Sequence, residues 1–337
     1  MKKQKSFLLK KLLLSTVGIG TVFLYSTGFV HAQTPPKPPV AIKNVATPTT
    51  PAVEAEKPKQ EVFTGRTLDK IQKENKIVIA NRSSSIPISF YDENKKPIGY
   101  GVDICMDFVN KLKVAYNLPN LQVEFLEVTS SNRIPLVVAG KVDLECGSTT
   151  NNASRRKEVS FSVPYYVAGV RILVGTKSGI KGLKDLKNKT VVVSKGTSTQ
   201  KTLNAIKEDL SMSFKIIEAA DFPSSLQEVV KGNADAFVLD DILLFSERSK
   251  IEKPQEYEVV GEFLSIEPLA IMVRNNDLEF KNLVDKYMID IITSGKINEH
   301  YKKWFESPIP PTNKSLDIPQ SPLLKDLFRM PTASVGN

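Results

Sequence analysis

The sequence has few histidines, the residue that many enzymes use for catalysis and metal binding. It contains 2 histidines in 337 residues, and His31 lies near the N-terminus, so His300 is the single histidine of the remaining chain. Histidine-based metal sites and Ser-His-Asp or Cys-His catalysis therefore lack the residues they need. The sequence also has no P-loop and no Gly-x-Gly-x-x-Gly fingerprint. These absences predict a protein that is not an enzyme and holds no metal or cofactor.

The net positive charge is also small in the part of the chain that is expected to fold. The formal net charge is +9, but residues 1–32 carry +5 and residues 33–62 carry +1, which leaves +3 for the rest. No run of Arg or Lys is interleaved with aromatic residues, so the pattern of a nucleic-acid-binding protein is missing. We expect a monomer that does not bind nucleic acid. Two lobes are expected, because single cores stop growing near ~250 residues.

The N-terminal segment resembles an export signal. Five lysines among the first 11 residues precede an apolar stretch from Leu12 to Val30, and Val30-His31-Ala32 is a small-x-small cleavage pattern. This pattern predicts a cleaved signal peptide over residues 1–32 and a protein of the bacterial periplasm. The alternative is an uncleaved anchor, because the stretch nearly spans ~30 Å of hydrocarbon. Residues 33–62 contain 7 prolines and few large apolar residues, which predicts a disordered linker.

The two cysteines, Cys105 and Cys146, lie in the part of the chain that is expected to fold. An oxidising compartment allows a disulfide between them. Cys105 is predicted on a helix and Cys146 at the end of a strand, so a bridge requires that helix to pack directly over that strand. The alternative is a pair of buried small hydrophobic residues. The sequence leaves this choice open.

Strand-like and helix-like segments alternate from Thr67 onward, which is typical of an α/β fold. One β-α-β-α-β run covers residues 76–146 and a second covers residues 171–239, and both predict mostly parallel sheets flanked by helices. A further strand and a long helix follow residue 267. We therefore predict lobe 1 over 63–167 and 267–306, lobe 2 over 168–266, and a surface tail over 307–337. The two segments that join the lobes predict a hinge.

Two polar segments stand out in the first of these runs. They are Val128–Arg133 and Glu145–Arg155, and each follows a predicted strand and opens a predicted helix. Both segments put an arginine in the first helical turn, where the macrodipole favours Asp or Glu. Hydroxyls, free N–H groups and guanidinium groups at such positions bind carboxylates. Either arginine could instead form an ion pair on the surface, but the pattern favours an anionic ligand.

Further candidate residues follow other predicted strands. In open parallel sheets, ligands bind beyond the carboxyl ends of the strands. The residues at such ends are Arg82, Ser130 with Arg133, Ser148 with Thr150 and Arg155, Ser198 in the Gly196-Thr-Ser turn, and Asp240. Asp240 is expected to bind an ammonium group, although Asp240 or Asp241 would serve equally as a helix cap. Together these residues predict a cleft between the lobes that receives a zwitterion.

Several motifs resemble those of the glutamate/aspartate-binding proteins of bacterial ABC importers. The similarity runs from about Thr67 to Asn313, and its motifs are Ala80-Asn-Arg82, Asn132-Arg-Ile-Pro-Leu136, Asp143-Leu-Glu-Cys-Gly-Ser-Thr-Thr-Asn-Asn152, Asp240-Asp241 and Pro308-Ile-Pro-Pro311. The resemblance implies a two-lobed type II periplasmic binding protein that closes on an acidic amino acid. It also implies a membrane ABC permease as the partner that receives the ligand.

The resemblance also implies a role for each candidate residue. Arg155, Thr150 and Ser198 would contact the α-carboxylate, Asp240 and Ser148 the α-ammonium, and Arg82, Ser130 and Arg133 the side-chain carboxylate. Ser198 stands where the family often has Thr, and Phe222 stands near a family histidine. Because of Phe222, the ligand could also be glutamine, asparagine or a dicarboxylate other than glutamate and aspartate. The same fold would also suit a sensor that serves a signalling receptor, or a dehydratase-like enzyme with Glu145 or Asp241 as its acid.

Overall fold

The computed structural model describes residues 63–333, which belong to one compact unit. The predicted signal peptide and linker, and the last four residues of the predicted tail, lie outside the described residues. Between Phe63 and Ala333 there is no helix with both the length and the apolar character needed to cross a membrane.

Strands and helices alternate along the described chain as the sequence predicts. The strands are β1 (Lys76–Asn81), β2 (Ser84–Ser85), β3 (Ser89–Tyr91), β4 (Pro97–Ile98), β5 (Gln122–Glu127), β6 (Leu144–Glu145), β7 (Val159–Phe161), β8 (Tyr166–Gly175), β9 (Thr190–Ser194), β10 (Lys215–Ala219), β11 (Ala236–Asp240), β12 (Tyr257–Val260), β13 (Ile266–Leu269) and β14 (Met272–Arg274). The α-helices are α1 (Thr67–Glu74), α2 (Tyr100–Ala115), α3 (Arg133–Val138), α4 (Thr199–Asp209), α5 (Phe222–Val230), α6 (Asp241–Ser249), α7 (Leu278–Thr293), α8 (Lys296–Phe305) and α9 (Pro322–Arg329).

The first lobe is built on a sheet with the strand order β5-β1-β6-β14-β7. Strand β1 pairs in parallel with β5 and β6, and β14 runs antiparallel to β6 and β7. Ile77 and Ile79 of β1 pack into one buried cluster, whereas Val78 and Ala80 pack into another. Successive side chains of a strand point to opposite faces, so β1 is covered on both sides. This burial explains its nearly continuous apolar sequence.

The second lobe has a sheet with the order β10-β9-β11-β8-β12. Strands β10, β9 and β11 are parallel, and β8 runs antiparallel to β11 and β12. Val191 and Val193 of β9 pack on one face, and Val192 packs on the other. The parallel strands of both lobes end on the side where the candidate residues were predicted, so the sheets bring these residues toward each other.

The chain passes between the lobes in two paired segments. The first part of β8, from Tyr166 to Gly169, pairs antiparallel with all of β13, from Leu269 back to Ile266. These crossing strands are the segments for which the sequence predicts a hinge. Paired strands joining two lobes allow the lobes to rotate while backbone hydrogen bonds are kept.

The C-terminal tail contains a helix that the sequence analysis missed. Ser321 caps α9 by accepting a hydrogen bond from the Leu324 N–H at 3.1 Å, and Pro322 occupies the first helical position. The Leu324 side chain is buried in the largest apolar cluster, and α9 packs on α7 and β8. The Ser-Pro start was visible in the sequence as a helix signal. The tail therefore contributes a buried side chain to the core, in addition to covering the surface.

The disulfide that the sequence left open is present. Cys105 on α2 is bridged to Cys146, which follows β6, with the two Cα atoms 6.4 Å apart. Helix α2 thus packs over the end of β6, and Gly101 leaves room for this contact: a Cβ there would lie 2.4 Å from the Cys146 carbonyl oxygen. The bridge anchors the segment that continues directly to Ser148 and Thr150.

Candidate functional site

The first group of predicted residues lies at the ends of β1 and β5. The Arg82 side chain is buried, and its Nη2 donates a hydrogen bond to the Ser130 hydroxyl at 2.9 Å. The Arg82 backbone N–H donates to the Ser89 hydroxyl on β3. Arg133 is also buried and is the first residue of α3, as the sequence predicts. Two guanidinium groups therefore meet in the interior at one end of the sheet.

The second group follows β6. The Ser148 hydroxyl lies 3.1 Å from the Ser85 hydroxyl, and Arg155 donates from Nη1 to the Thr150 carbonyl at 2.9 Å. The helix predicted at Arg155 is wrong in its extent: the structure has a single 3-10 turn, Arg155–Lys157. Strand β7 begins only two residues later, so there is no room for a longer helix. The helix-dipole argument thus applies to Arg133 but not to Arg155.

The third group belongs to the second lobe. Ser198 precedes α4, and its hydroxyl donates to Glu267 Oε2 at 3.0 Å instead of capping the helix. Asp240 ends β11 and precedes α6, and its side chain makes no capping hydrogen bond. The neighbouring Asp241 accepts from the Ile242 N–H at 2.7 Å. A capping role for Asp240 is therefore wrong, and its carboxyl group is left for another partner.

The three groups surround one small space between the lobes. Its lining comprises Ser130, Arg133, Ser148, Thr150, Arg155, Thr197, Ser198, Phe222, Leu239, Asp240 and Leu243. Every predicted ligand-binding residue except Arg82 borders this space. Arg82 lies behind Phe222, with its guanidinium carbon 5.1 Å from the ring centroid.

Contacts across this space hold the two lobes together. Arg155 Nη2 donates to the Gly196 carbonyl at 3.5 Å, and the Ser131 hydroxyl donates to the Lys195 carbonyl at 3.4 Å. Farther out, Lys201 of α4 donates to the Ser154 hydroxyl at 2.9 Å. In each pair one residue belongs to the first lobe and the other to the second. The structure therefore describes the closed arrangement of the cleft.

The cleft has buried positive charge with unused donors. Burial, followed by the adjacent charge of Arg133, lowers the pKa of the Arg82 guanidinium to about 9. The same two causes, in the same order, lower the pKa of Arg155 to about 9. Within residues 63–333, neither Arg82 Nη1 nor Arg133 Nε has a hydrogen-bond partner. Buried donors without partners are costly, so an anionic ligand at this position would stabilise the closed cleft.

Two acidic residues near the arginines were not predicted as ligand contacts. Glu267 on β13 is buried and accepts hydrogen bonds from Ser265 and Ser198. Glu145 at the end of β6 is fully buried, and in the described part of the chain its carboxylate oxygens have no hydrogen-bond partner. Neither residue borders the cleft space. The sequence signal for Glu267 was its position at the predicted lobe crossover, directly before a predicted strand.

Comparison with known proteins agrees with this geometry. The sequence matches the bacterial extracellular solute-binding proteins, family 3, over residues 77–307. It is 43% identical over 273 residues to the glutamate/aspartate import solute-binding protein of Salmonella typhimurium, covering 81% of this chain and 90% of the relative. It is also 43% identical over 267 residues to the L-glutamate/L-aspartate-binding protein of Pseudomonas aeruginosa, covering 79% and 88% of the two chains.

Solved structures show the same fold. The crystal structure of an ancestral amino acid-binding protein, a precursor of cyclohexadienyl dehydratase, superposes with a TM-score of 0.60 at 31% identity. The superposition covers 71% of this chain and 99% of that chain. Both named sequence relatives are binding proteins, and neither name describes an enzyme. The extent of the family match and the identity to these relatives establish that this chain belongs to the bacterial extracellular solute-binding proteins, family 3.

Proposed function

We propose that this protein captures glutamate or aspartate between its lobes and delivers it to an ABC permease. The observation that carries the proposal is the pair of buried guanidinium groups, Arg133 and Arg155, that border one space between the lobes together with the Asp240 carboxyl group. A third buried guanidinium group, that of Arg82, lies behind Phe222. Such a cleft presents two anion sites and one cation site. An acidic amino acid has two carboxylates and one ammonium group, so it matches the cleft in both number and sign of charge.

The α-amino-acid end of the ligand would be held by residues of both lobes. Arg155 and Thr150 would bind the α-carboxylate, together with the first N–H groups of α4, which have no partner within the helix. Ser198 would contribute mainly through this helix start, because its hydroxyl hydrogen is already donated to Glu267. Asp240 and Ser148 would bind the ammonium group. These contacts are common to all α-amino acids and would not by themselves select an acidic one.

The distal carboxylate would decide the selectivity. Arg133 borders the space, and Arg82 donates a hydrogen bond to Ser130, which also borders it, so two positive charges lie near this end of the ligand. A neutral amide would leave both charges under-compensated in a closed site, which is costly. Glutamate and aspartate are therefore favoured over glutamine and asparagine. Phe222 shapes the same end of the space and would influence the balance between the two acids.

Export and partners complete the proposal. A family of extracellular proteins agrees with the predicted signal peptide, and we infer that the mature protein acts in the periplasm as a monomer. The cleft binds no nucleic acid in this proposal, because its positive charges are buried and face a small-molecule space.

An enzymatic role has little support in the site. Neither Glu145 nor Asp241, the two acids that such a role would require, borders the cleft space. The Asp241 carboxylate accepts hydrogen bonds from the backbone N–H groups of Ile242 and Gly169. A carboxyl group used in this way is not placed to transfer a proton to a ligand.

A ligand panel tests the proposal directly. Thermal unfolding of the purified protein would be followed with glutamate, aspartate, glutamine, asparagine and simple dicarboxylates, and each hit would be measured by titration calorimetry. A ligand at ~1,000 times its Kd stabilises by about 4 kcal/mol, which gives a clear shift in Tm. We expect shifts with glutamate and aspartate. A shift with amides alone, or with none of these compounds, would contradict the proposal.

A further inference from the structure

The Glu267 carboxylate links the hinge to the ligand site. Glu267 lies on the crossing strand β13 with 4% of its surface exposed. Its Oε1 accepts a hydrogen bond from Ser265 at 2.6 Å, and its Oε2 accepts one from Ser198 at 3.0 Å. Ser198 stands at the start of α4 and borders the cleft space. A buried carboxylate in the hinge is therefore tied to the residue that begins the ligand-binding helix.

The strand register places Asp240 and Glu267 on the same face. Strand β8 pairs Ala168 with Glu267 on one side and Val170 with Asp240 on the other. Residues directly opposite each other in antiparallel strands share a face, and residues two apart on one strand do so as well. The two acidic side chains therefore project from one face of the crossover, flanking β8.

The charges around Asp240 favour a protonated carboxyl group in the empty cleft. Burial, followed by the charges of Glu267 and then Asp241, raises the pKa of Asp240 to about 8. Arg155 and Arg133 oppose this effect. These groups are the charges that face Asp240 from β13, α6, the 3-10 turn and α3. The two arginines do not fully offset burial and the two neighbouring acids, so the pKa of Asp240 remains raised.

We propose that Glu267 is a positioning residue for recognition of the ligand ammonium, and that Asp240, beside Glu267, holds one proton in the empty cleft that the ammonium displaces. The inference rests on the proposed function for the identity of the ligand. When the ligand binds, its ammonium enters with all of its protons, the Asp240 O–H bond breaks, and that proton passes to water. The carboxylate left on Asp240 then pairs with the ammonium. No oxidant, reductant or other reactant is required.

Proton release on binding is the first test. Calorimetric titrations of glutamate at pH 7 would be repeated in buffers of different ionisation enthalpy, which gives the number of protons released. Burial and the charge of the neighbouring Glu267 raise the pKa of Asp240, so wild type should release a proton on binding at pH 7. Affinity should fall as the pH is lowered, by up to about tenfold for each unit.

Variants separate the positioning role from a structural one. Glu267→Gln keeps the size of the side chain and removes its charge, so it should release fewer protons at pH 7 and shift the pH profile of Kd to lower pH. Asp240→Asn should release none. Glu262→Gln, at an exposed position five residues earlier, is the matched control and should behave as wild type. If Glu267→Gln released as many protons as wild type with the same pH profile, the inference would be overturned.

A measurement without ligand keeps the inference testable on its own. The pKa of Asp240 is higher in the folded than in the unfolded protein, so its contribution to stability is lost as the pH rises from about 4 to about 8. The Tm of empty wild type should therefore fall relative to that of Asp240→Asn between pH 5 and pH 8. If the difference in Tm between the two proteins stayed constant over this pH range, the inference would be contradicted. Glutamate that bound without proton release would overturn this inference alone, whereas the absence of any acidic ligand would overturn the proposed function.

Discussion

Replacing Gly196 by alanine should block closure of the lobes. A Cβ atom at Gly196 would lie 2.7 Å from the carbonyl group of Ser130 and from the Cα of Ser131, which belong to the opposite lobe. Carbon atoms pack at about 3.5–4.0 Å, so the lobes would have to separate by about 1 Å. Gly196 also has a φ of +78°, so part of any effect would come from backbone strain.

The magnitude follows from the contacts that closure makes. Separation of the lobes breaks the hydrogen bonds from Arg155 to Gly196 and from Ser131 to Lys195. At about 1 kcal/mol each, their loss weakens the closed, ligand-bound state by about 2 kcal/mol, which is roughly 30-fold in Kd. Water entering beside the buried arginines would add to this loss.

A second glycine provides a matched control for this prediction. Gly232 has a φ of +76°, and a Cβ there would meet nothing within 4 Å. Gly232→Ala should carry the same backbone cost of about 1–2 kcal/mol, visible as a lower Tm, and should leave the Kd for glutamate unchanged. Gly196→Ala should lower the Tm of the empty protein similarly but raise the Kd. If calorimetry found the two variants within threefold in Kd, the described closure would not be the ligand-bound arrangement.

Three further predictions concern the site and its support. Arg155→Met should weaken the binding of glutamate and of glutamine alike, by about 3 kcal/mol or on the order of 100-fold, whereas Arg133→Met should mainly remove the preference for glutamate over glutamine. Calorimetry with both ligands separates the two outcomes. If both variants lost the preference for glutamate to the same extent, the assignment would be contradicted. Phe222→Leu removes the ring beside the Arg82 guanidinium and should weaken glutamate by about 1–2 kcal/mol, measured in the same way; unchanged affinity would show that Arg82 does not depend on this ring. Replacing Cys105 and Cys146 together by alanine opens a bridge with a sequence separation of 41, so the free energy of unfolding in urea should fall by about 4 kcal/mol; a loss below about 1 kcal/mol would contradict the loop-entropy argument.

Some features of the site were predictable because they depend on local sequence. The alternation of apolar residues and turns locates the ends of strands, and the carboxyl ends of parallel strands meet at the same edge of a sheet. Arg133, Ser148 and Thr150 follow such strands of the first sheet, so their convergence is a consequence of topology, which the sequence pattern already contains. Asp240 ends a strand of the second sheet, and the packing of the two lobes brings it to the same space.

Other features depend on distances between segments far apart in the chain. The helix expected at Arg155 is limited to one turn by the pairing of β7 with β14, and Val273 lies far beyond Ser160 in sequence. The hydrogen bond between Ser198 and Glu267 joins residues that are 69 positions apart in the sequence. The periodicity of apolar residues within one segment does not predict contacts with a distant segment.

The sequence by itself determined the α/β class, the two-lobed organisation and the family, because these depend on periodicity, strand ends and motifs that are local. Only the tertiary structure decided that Cys105 is bridged to Cys146, that Arg82 lies behind Phe222, and that Glu267 reaches the ligand-binding helix. Each of these depends on how one element packs on another, and packing is set by the whole set of buried contacts at once.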